Sequence, residues 1–289
     1  MRVVLCSNHR SGRGLAAPEL EDLIRHAGHT LVQSVDVQAT TVSAIDPAAE
    51  VAVAAGGDGT VASMARRLAG TGLPLAILPL GTANNIARSL GIEGSVTDLV
   101  HGWHRARGKP VDVGTILSAQ GEKLFLEGVG GGLIPAVIDS MRSESAATQA
   151  VAIRLAKANN RYRELLPGLK ASHWTVIADD ERIEGRMVLV EVLNTDWLGP
   201  NLKLSREVSP FDGLLSVVVV REEQREELSA FLHAHDAGAT VAFTWPVVHA
   251  RTVKLLPSAD VHVDDTVHSR DAFGHMEMQT RPGALVVLT

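Results

Sequence analysis

Val51-Ala52-Val53-Ala54-Ala55-Gly56-Gly57-Asp58-Gly59-Thr60 is an apolar run closed by three glycines in four positions, with an acid and a hydroxyl among them. The run predicts a strand. Glycines behind it let backbone N–H groups turn toward one point without side chains in the way. Asp58 in that loop can take a proton or meet a metal. The next segment, 61–69, reads as a helix whose N-terminus faces the same point, so strand, loop and helix start predict an anion site containing a carboxylate. Glycine pairs after strands are often plain turns, but a turn needs neither the Asp nor the Thr.

Working outward, 2–6 predicts a strand, 17–27 a helix, 30–35 a strand and 75–78 another, and Pro79-Leu80-Gly81-Thr82 opens a helix over 83–90. Strands separated by helix-length stretches imply a doubly wound, mostly parallel α/β sheet with ligands at the C-terminal strand ends. Three loops then fall on that edge: 7–14, 56–60 and 79–84. The character changes near Gly108-Lys109-Pro110. Strand-like runs at 111–117, 124–129, 174–178, 186–193, 214–220, 247–255, 261–263 and 284–288 predict a second, mainly antiparallel β domain, with 179–185 as a polar hairpin connection. The expected division is 1–110 and 111–279, with the last strand, 280–289, free to pack back on the first domain.

The 289 residues are 45% hydrophobic and 21% charged, the balance of a well-cored globular chain long enough for two domains. A net charge of −6 and 3% aromatics argue against nucleic acid as a partner. The single cysteine, Cys6, excludes an internal disulfide and fits a reducing compartment; its apolar setting predicts a buried thiol. No apolar stretch is long enough to span a membrane and no leader pattern precedes 3–5, so a cytoplasmic protein is expected. A lipid substrate would bring it to the inner membrane face as a peripheral protein.

Between 151 and 169 apolar residues recur near helical spacing, with Lys157, Arg161 and Arg163 among them. This fits either a solvated basic face or a surface for anionic headgroups. The twelve histidines do not make a metal site by spacing; His262, His268 and His275 are expected at the surface. The Gly128–Gly132 cluster does not fit a dinucleotide fingerprint and predicts a close backbone approach at Gly130.

Taken together these motifs resemble the diacylglycerol kinase catalytic-domain family of bacterial lipid kinases, related to sphingosine kinases, over nearly the whole chain. Asn8-His9-Arg10-Ser11-Gly12 is similar to the family's N-P-x-S-G loop, with His9 where Pro is usual. Gly56–Thr60 matches its G-G-D-G-T unchanged. Pro79 through Arg88 resembles its P-x-G-T-x-N-D-F-A-R block, with Asn85 for the common Asp. Val111-Asp112-Val113-Gly114 resembles the strand that opens the second domain, and Asn194, Gly199 and Asp212-Gly213-Leu214-Leu215 its N…G…D-G-L-L segment. Where the family reads V-D-G-E, this chain has Val263-Asp264-Asp265-Thr266; Asp264 is in place and Thr266 replaces the Glu.

The resemblance implies an NAD-kinase- and diacylglycerol-kinase-like fold, and transfer of the γ-phosphoryl of ATP, with Mg²⁺, to a lipid hydroxyl such as that of diacylglycerol. It implies a nucleotide-binding first domain, with Asn8, Ser11, Gly12, Gly56, Gly57, Gly59, Thr60, Gly81, Thr82 and Asn84 at the nucleotide. It implies a lipid-substrate second domain, Asp58 and Asp264 as catalytic carboxylates, and Asn85 and Gly130 at the substrate cleft. Asn85 fits helix capping equally. Asp212 fits either a structural metal ion or a plain turn. A soluble-substrate kinase resembling NAD kinase is the alternative, because G-G-D-G-T loops occur there too. Loss of the Glu at Thr266 leaves open a catalytically weak nucleotide- or lipid-binding protein.

Overall fold

The structure, a computed structural model, describes residues 1–8, 15–36, 44–142, 151–199, 202–236 and 245–289. It divides into one unit of Met1–Asp112 with Pro282–Thr289 and another of Val113–Arg281.

The first unit runs β1 (Arg2–Ser7), α1 (Ala17–His26), β2 (Thr30–Asp36), β3 (Val51–Gly56), α2 (Asp58–Leu68), β4 (Leu75–Pro79), α3 (Asn85–Ser89) and α4 (Val96–Gly102). All six residues of β3 are buried, as expected of a central parallel strand covered on both faces. Its neighbours are parallel: β2 lies beside β1, β1 beside β3, and β3 beside β4. The far end of the chain returns as a fifth parallel strand, Val287 pairing with Leu75. The covering helices bury residues three and four apart: Ala17, Leu20 and Ile24 on α1, and Val61, Met64, Ala65 and Leu68 on α2. With Val3, Leu5, Val51, Val53 and Leu78 of the sheet, Leu20 and Ile24 form part of one core that also takes in Val100 and Trp103. Ser95 caps α4, its Oγ accepting from the Asp98 N–H at 3.1 Å.

Parallel pairing brings the C-terminal strand ends to one edge. Ser7 stands opposite Ala55, and Gly56 opposite Pro79. The loops after β1, β3 and β4 therefore leave from adjacent positions.

Crossing to the second unit, the chain continues through β5 (Gly108–Ser118), β6 (Gly121–Phe125), β7 (Gly128–Gly132), α5 (Leu133–Arg142), α6 (Val151–Leu165), β8 (Ser172–Ala178) and β9 (Glu181–Leu193). A two-stranded pair follows, β10 (Trp197–Leu198) with β11 (Leu202–Lys203), and then β12 (Leu215–Arg221), α7 (Arg225–Asp236), β13 (Val247–Ala250) and β14 (Thr252–Leu256). The last strands are β15 (Val261–Val263), β16 (Thr266–His268) and β17 (Met276–Leu288), whose final residues are the fifth strand of the first unit. Pairing among β6 to β9 and β12 to β16 is antiparallel. β9 is the axis: its first half pairs with β8, its second half with β7 and β12. Phe125 lies so close over Gly114 that a Cβ there would meet the ring at 2.2 Å.

Several boundaries differ from the sequence expectation. The 179–185 hairpin connection narrows to Asp179 and Asp180, because the exposed and half-buried residues from Glu181 onward stay paired in β9. Asp179 takes the positive φ of 49° that so tight a turn requires, and its carboxylate accepts from the Arg251 and Thr252 N–H groups. The 247–255 run breaks between β13 and β14 at Arg251. Among the described residues no helix is long and apolar enough to cross a membrane.

Candidate active site

At the strand ends of the first unit, two glycine loops touch backbone to backbone. A Cβ placed on Gly81 would lie 2.4 Å from the Gly57 Cα, and one on Gly57 would lie 3.2 Å from the Gly81 Cα. The Leu80 N–H donates to the Gly56 carbonyl at 2.9 Å and closes the contact. Gly56 is needed for a separate reason: its Cβ would fall 2.3 Å from Oγ1 of Thr60. Thr60 is accordingly buried, and Gly59 is exposed.

Asp58 is the first residue of α2, capped by Gly57, rather than a mid-loop residue. The helix begins three residues earlier than the apolar pattern predicts because the Thr60 and Val61 N–H groups both reach the Gly57 carbonyl. Asp58 therefore sits at the positive end of the α2 dipole, half-buried, with Oδ1 accepting from the Ile86 N–H at 3.0 Å. That bond ties the carboxylate to the start of α3.

Asn84 stands at φ 50°, the left-handed conformation that a short polar side chain tolerates. Its amide serves its own loop: Oδ1 accepts from the Gly81 N–H at 2.8 Å, and Nδ2 donates to the Pro79 and Gly81 carbonyls. This left-handed residue is why α3 starts at Asn85 rather than at 83. Asn85 is buried, while Thr82 and Asn8 are half-buried at the same strand edge. Ser11 and Gly12 lie outside the described residues. Cys6 is buried, and burial pushes its thiol up to about 11 against a smaller opposing effect of Arg67, which fits an unreactive core thiol.

The second unit gathers a different set. Asp264 is buried at φ 52° in the turn between β15 and β16. Its Oδ1 accepts from the Leu126 and Glu127 N–H groups at 2.9 and 2.8 Å, and its own N–H donates to the Gly128 carbonyl. Asn194 completes the same corner, with Nδ2 donating to the Leu126 carbonyl and its N–H to that of Glu127. Asp212 is exposed and its Oδ1 accepts from the Leu214 N–H at 2.9 Å, the bond of an Asx turn. Thr266 is exposed, and its hydroxyl donates to Asp265.

One expectation is overturned. His262 is fully buried, not on the surface, and it pairs with the fully buried Glu191. α5 packs over β15, so both faces of that strand are covered. Glu191 was not among the expected site residues, although it is the one charged residue in the apolar stretch 187–193. Such a residue is buried only with a partner, and that was the available signal. Among the described residues no three His, Cys, Asp or Glu side chains form a metal cluster.

Comparison with known proteins agrees with these motifs. Residues 2–116 match the diacylglycerol kinase catalytic domain, and residues 134–289 match the YegS C-terminal NAD kinase beta sandwich-like domain. A protein of Mycobacterium tuberculosis named "Diacylglycerol kinase" is 26% identical over 284 residues, covering 91% of this chain and 88% of its own. One of Pseudomonas savastanoi pv. phaseolicola, named "Probable lipid kinase YegS-like", is 28% identical over 243 residues, covering 81% of this chain and 74% of its own. The crystal structure of a diacylglycerol kinase from Bacillus anthracis superposes with a TM-score of 0.71 at 19% identity, covering 99% of this chain and 96% of that one. At that identity the likeness is one of fold.

Proposed function

We propose that this chain, which belongs to the diacylglycerol kinase catalytic-domain family, is a kinase that moves the γ-phosphoryl group of ATP onto a lipid hydroxyl, with diacylglycerol as the first acceptor to test. In this reading the first unit binds the nucleotide and the second the lipid. The observation that carries it is the Gly57–Gly81 contact beside the start of α2. Two chains that approach this closely leave N–H groups and a helix N-terminus unobstructed by side chains, which suits a phosphate group. Any Cβ at Gly81 would force the two loops apart.

Phosphoryl transfer asks a protein for positioning, charge stabilisation and a place for the acceptor's proton. The acceptor oxygen bonds to the γ-phosphorus, the bond from phosphorus to the β–γ bridging oxygen breaks, and ADP leaves. Asp58 is assigned the proton of the attacking hydroxyl. Its bond from Ile86 holds the carboxylate at the start of α3, where it is assigned to orient the alcohol. Gly57 and Gly59 supply backbone donors, while Thr60 and Thr82 supply hydroxyls. Neutral donors suit a triphosphate that arrives with Mg²⁺, which offsets phosphate charge. Asn84 is assigned to shaping the loop, since its amide is engaged there, and Asp264 to the second carboxylate. A lipid acceptor places the protein at a membrane surface while it works.

A second reading has one observation behind it: Thr266, in place of the family's Glu, is exposed and bonded to its neighbour Asp265. On that reading the protein binds ATP without transferring phosphate. The test is labelled ATP offered with a lipid extract, with purified diacylglycerol and with NAD, using wild type and Asp58→Asn side by side. Label in a lipid product with wild type and its loss in Asp58→Asn supports the lipid kinase. ATP binding by calorimetry with no labelled product supports the second reading, and labelled NAD phosphate overturns both. More than a few per cent of wild-type turnover in Asp58→Asn removes Asp58 from its role.

A further inference from the structure

His262, Gly130 and Glu191 occupy one row across three strands of the second unit: His262 of β15 pairs with Gly130 of β7, which pairs with Glu191 of β9. The middle residue has no side chain. The imidazole and the carboxylate reach across it and meet, Nε2 to Oε2, at 2.8 Å. A Cβ on Gly130 would lie 2.3 Å from that same Oε2 and 2.1 Å from the Val190 carbonyl. The glycine exists to let the pair form. On the other side of the ring, Nδ1 lies 2.8 Å from the carbonyl oxygen of Asp264. A carbonyl only accepts, so Nδ1 carries a hydrogen and donates.

Both side chains are fully buried, on the sheet face opposite that of Val190 and Val192, since neighbours along a strand point to opposite faces. A buried ion pair is seldom more stable than apolar side chains of the same volume, so packing alone does not account for it. What the pair does reach is Asp264, a left-handed residue whose turn needs holding. We infer that Glu191 and His262 are positioning residues: Glu191 orients the imidazole, and its Nδ1–H holds the Asp264 carbonyl so that the carboxylate stays on the Leu126 and Glu127 amides. This rests on the proposal that Asp264 serves phosphoryl transfer, but the tether itself can be read without any activity.

The protonation of the pair agrees with this geometry. Burial alone pushes the His262 pKa down, but the charge and hydrogen bond of Glu191, with the Asp264 carbonyl and carboxylate, outweigh it and leave it above the ordinary histidine value. Burial raises Glu191, against the opposing pull of His262. The two therefore keep a shared proton. The other titratable groups facing them are Tyr162 of α6, whose phenol is pushed up by burial and then by Glu191 and Glu127, and Glu127 itself.

The experiment is amide hydrogen exchange at Leu126 and Glu127, followed by NMR in the full chain. Alongside it, kcat and the KM for ATP are measured in wild type, His262→Leu, His262→Asn and Glu191→Gln. His262→Leu removes the donor and is expected to speed exchange at both amides at least ten-fold, leave Val218 of β12 protected, and lower kcat at least ten-fold with KM for ATP within two-fold. His262→Asn places an amide donor where Nδ1 stood and is expected to restore both readouts to within about three-fold. Unchanged exchange in a folded His262→Leu, or no rescue by His262→Asn, overturns the tether. If His262→Leu does not fold, Glu191→Gln decides. After division by the intrinsic base-catalysed rate, its exchange at Leu126 and Glu127 should stay within three-fold of wild type at pH 6 and lack the further acceleration expected of wild type as the pair gives up its proton. A corrected pH response equal to that of wild type overturns the inference. Should wild type transfer no phosphate to any lipid, the functional proposal fails while the exchange result still stands or falls alone.

Discussion

The Gly57–Gly81 contact makes a prediction whose size differs between its two members. Alanine at Gly81 puts a methyl carbon 2.4 Å from the Gly57 Cα and 3.3 Å from its nitrogen, with Asn84 Oδ1 at 2.8 Å. Carbon atoms rest at about 3.5–4.0 Å, so the two backbones must part by roughly 1 Å, and neither end is a side chain that can swing away. Overpacking of this kind costs about 1–3 kcal/mol, and Gly81→Ala belongs at the upper end, about 3. Alanine at Gly57 meets the Gly81 Cα at 3.2 Å, a displacement of a few tenths of an ångström, and about 1 kcal/mol is expected. Gly102, in the last turn of α4, has nothing within 4 Å of its added Cβ; Gly102→Ala should stabilise by about 0.5–1 kcal/mol through the unfolded chain. Native-state hydrogen exchange at the amides of β3 and β4 reads the first unit separately from the second. ATP titration by calorimetry should show weaker binding in Gly81→Ala than in Gly57→Ala. Equal stability of Gly81→Ala and wild type, or a larger loss in Gly57→Ala, refutes the argument that this approach dictates glycine.

Gly130→Ala should cost about 3 kcal/mol or more in the second unit, measured by exchange at β7 and β9, because its methyl group collides with both Val190 and Glu191. Tyr162 is fully buried, and among the described residues its hydroxyl has no hydrogen-bond partner. Tyr162→Phe should therefore be neutral or stabilising by up to about 1 kcal/mol in denaturant unfolding; a loss above that size would disprove the assignment. Glu191 and His262 both have folded pKa values above their ordinary ones, so the folded state holds the shared proton more tightly. Stability from the pair is full below the ordinary carboxylate value and falls as the pH rises, past that value for Glu191, past the ordinary histidine value for His262, and through the folded values of both. The stability difference between wild type and Glu191→Gln should shrink in that direction, and a difference that grows with pH would contradict the sign.

The parallel sheet was legible because its evidence is local: 51–56 is an unbroken apolar strand, and the glycines behind it mark where the chain turns. The meeting of Gly57 with Gly81 was not, since it depends on β3 and β4 lying side by side, which no window of sequence displays. Asn84 was expected at the nucleotide because its amide is a good neutral donor; the left-handed backbone that directs this amide into its own loop is a property of the fold. Residues 261–263 read as a strand, and His262 was expected at the surface because no ligand spacing surrounds it. That inference failed because α5 covers the strand, and α5 carries an apolar pattern, Leu133-Ile134 with Val137-Ile138, that was not assigned to a helix. Glu191 and His262 lie 71 positions apart, and only the Gly130 row joins them.

The parallel strand that pairs with β4 is made from residues 282–288, so one border of the first unit's sheet is supplied by chain synthesised after the entire second unit. On the ribosome β4 stays an open edge, a template for unwanted strand addition, until Val287 has been translated. The amino-terminal half therefore cannot finish folding in the order in which it is made. A truncation just before Pro282 should leave the second unit's strands intact and turn the first into the aggregation-prone part, and moving 282–289 to the amino terminus by circular permutation should reverse that order of completion.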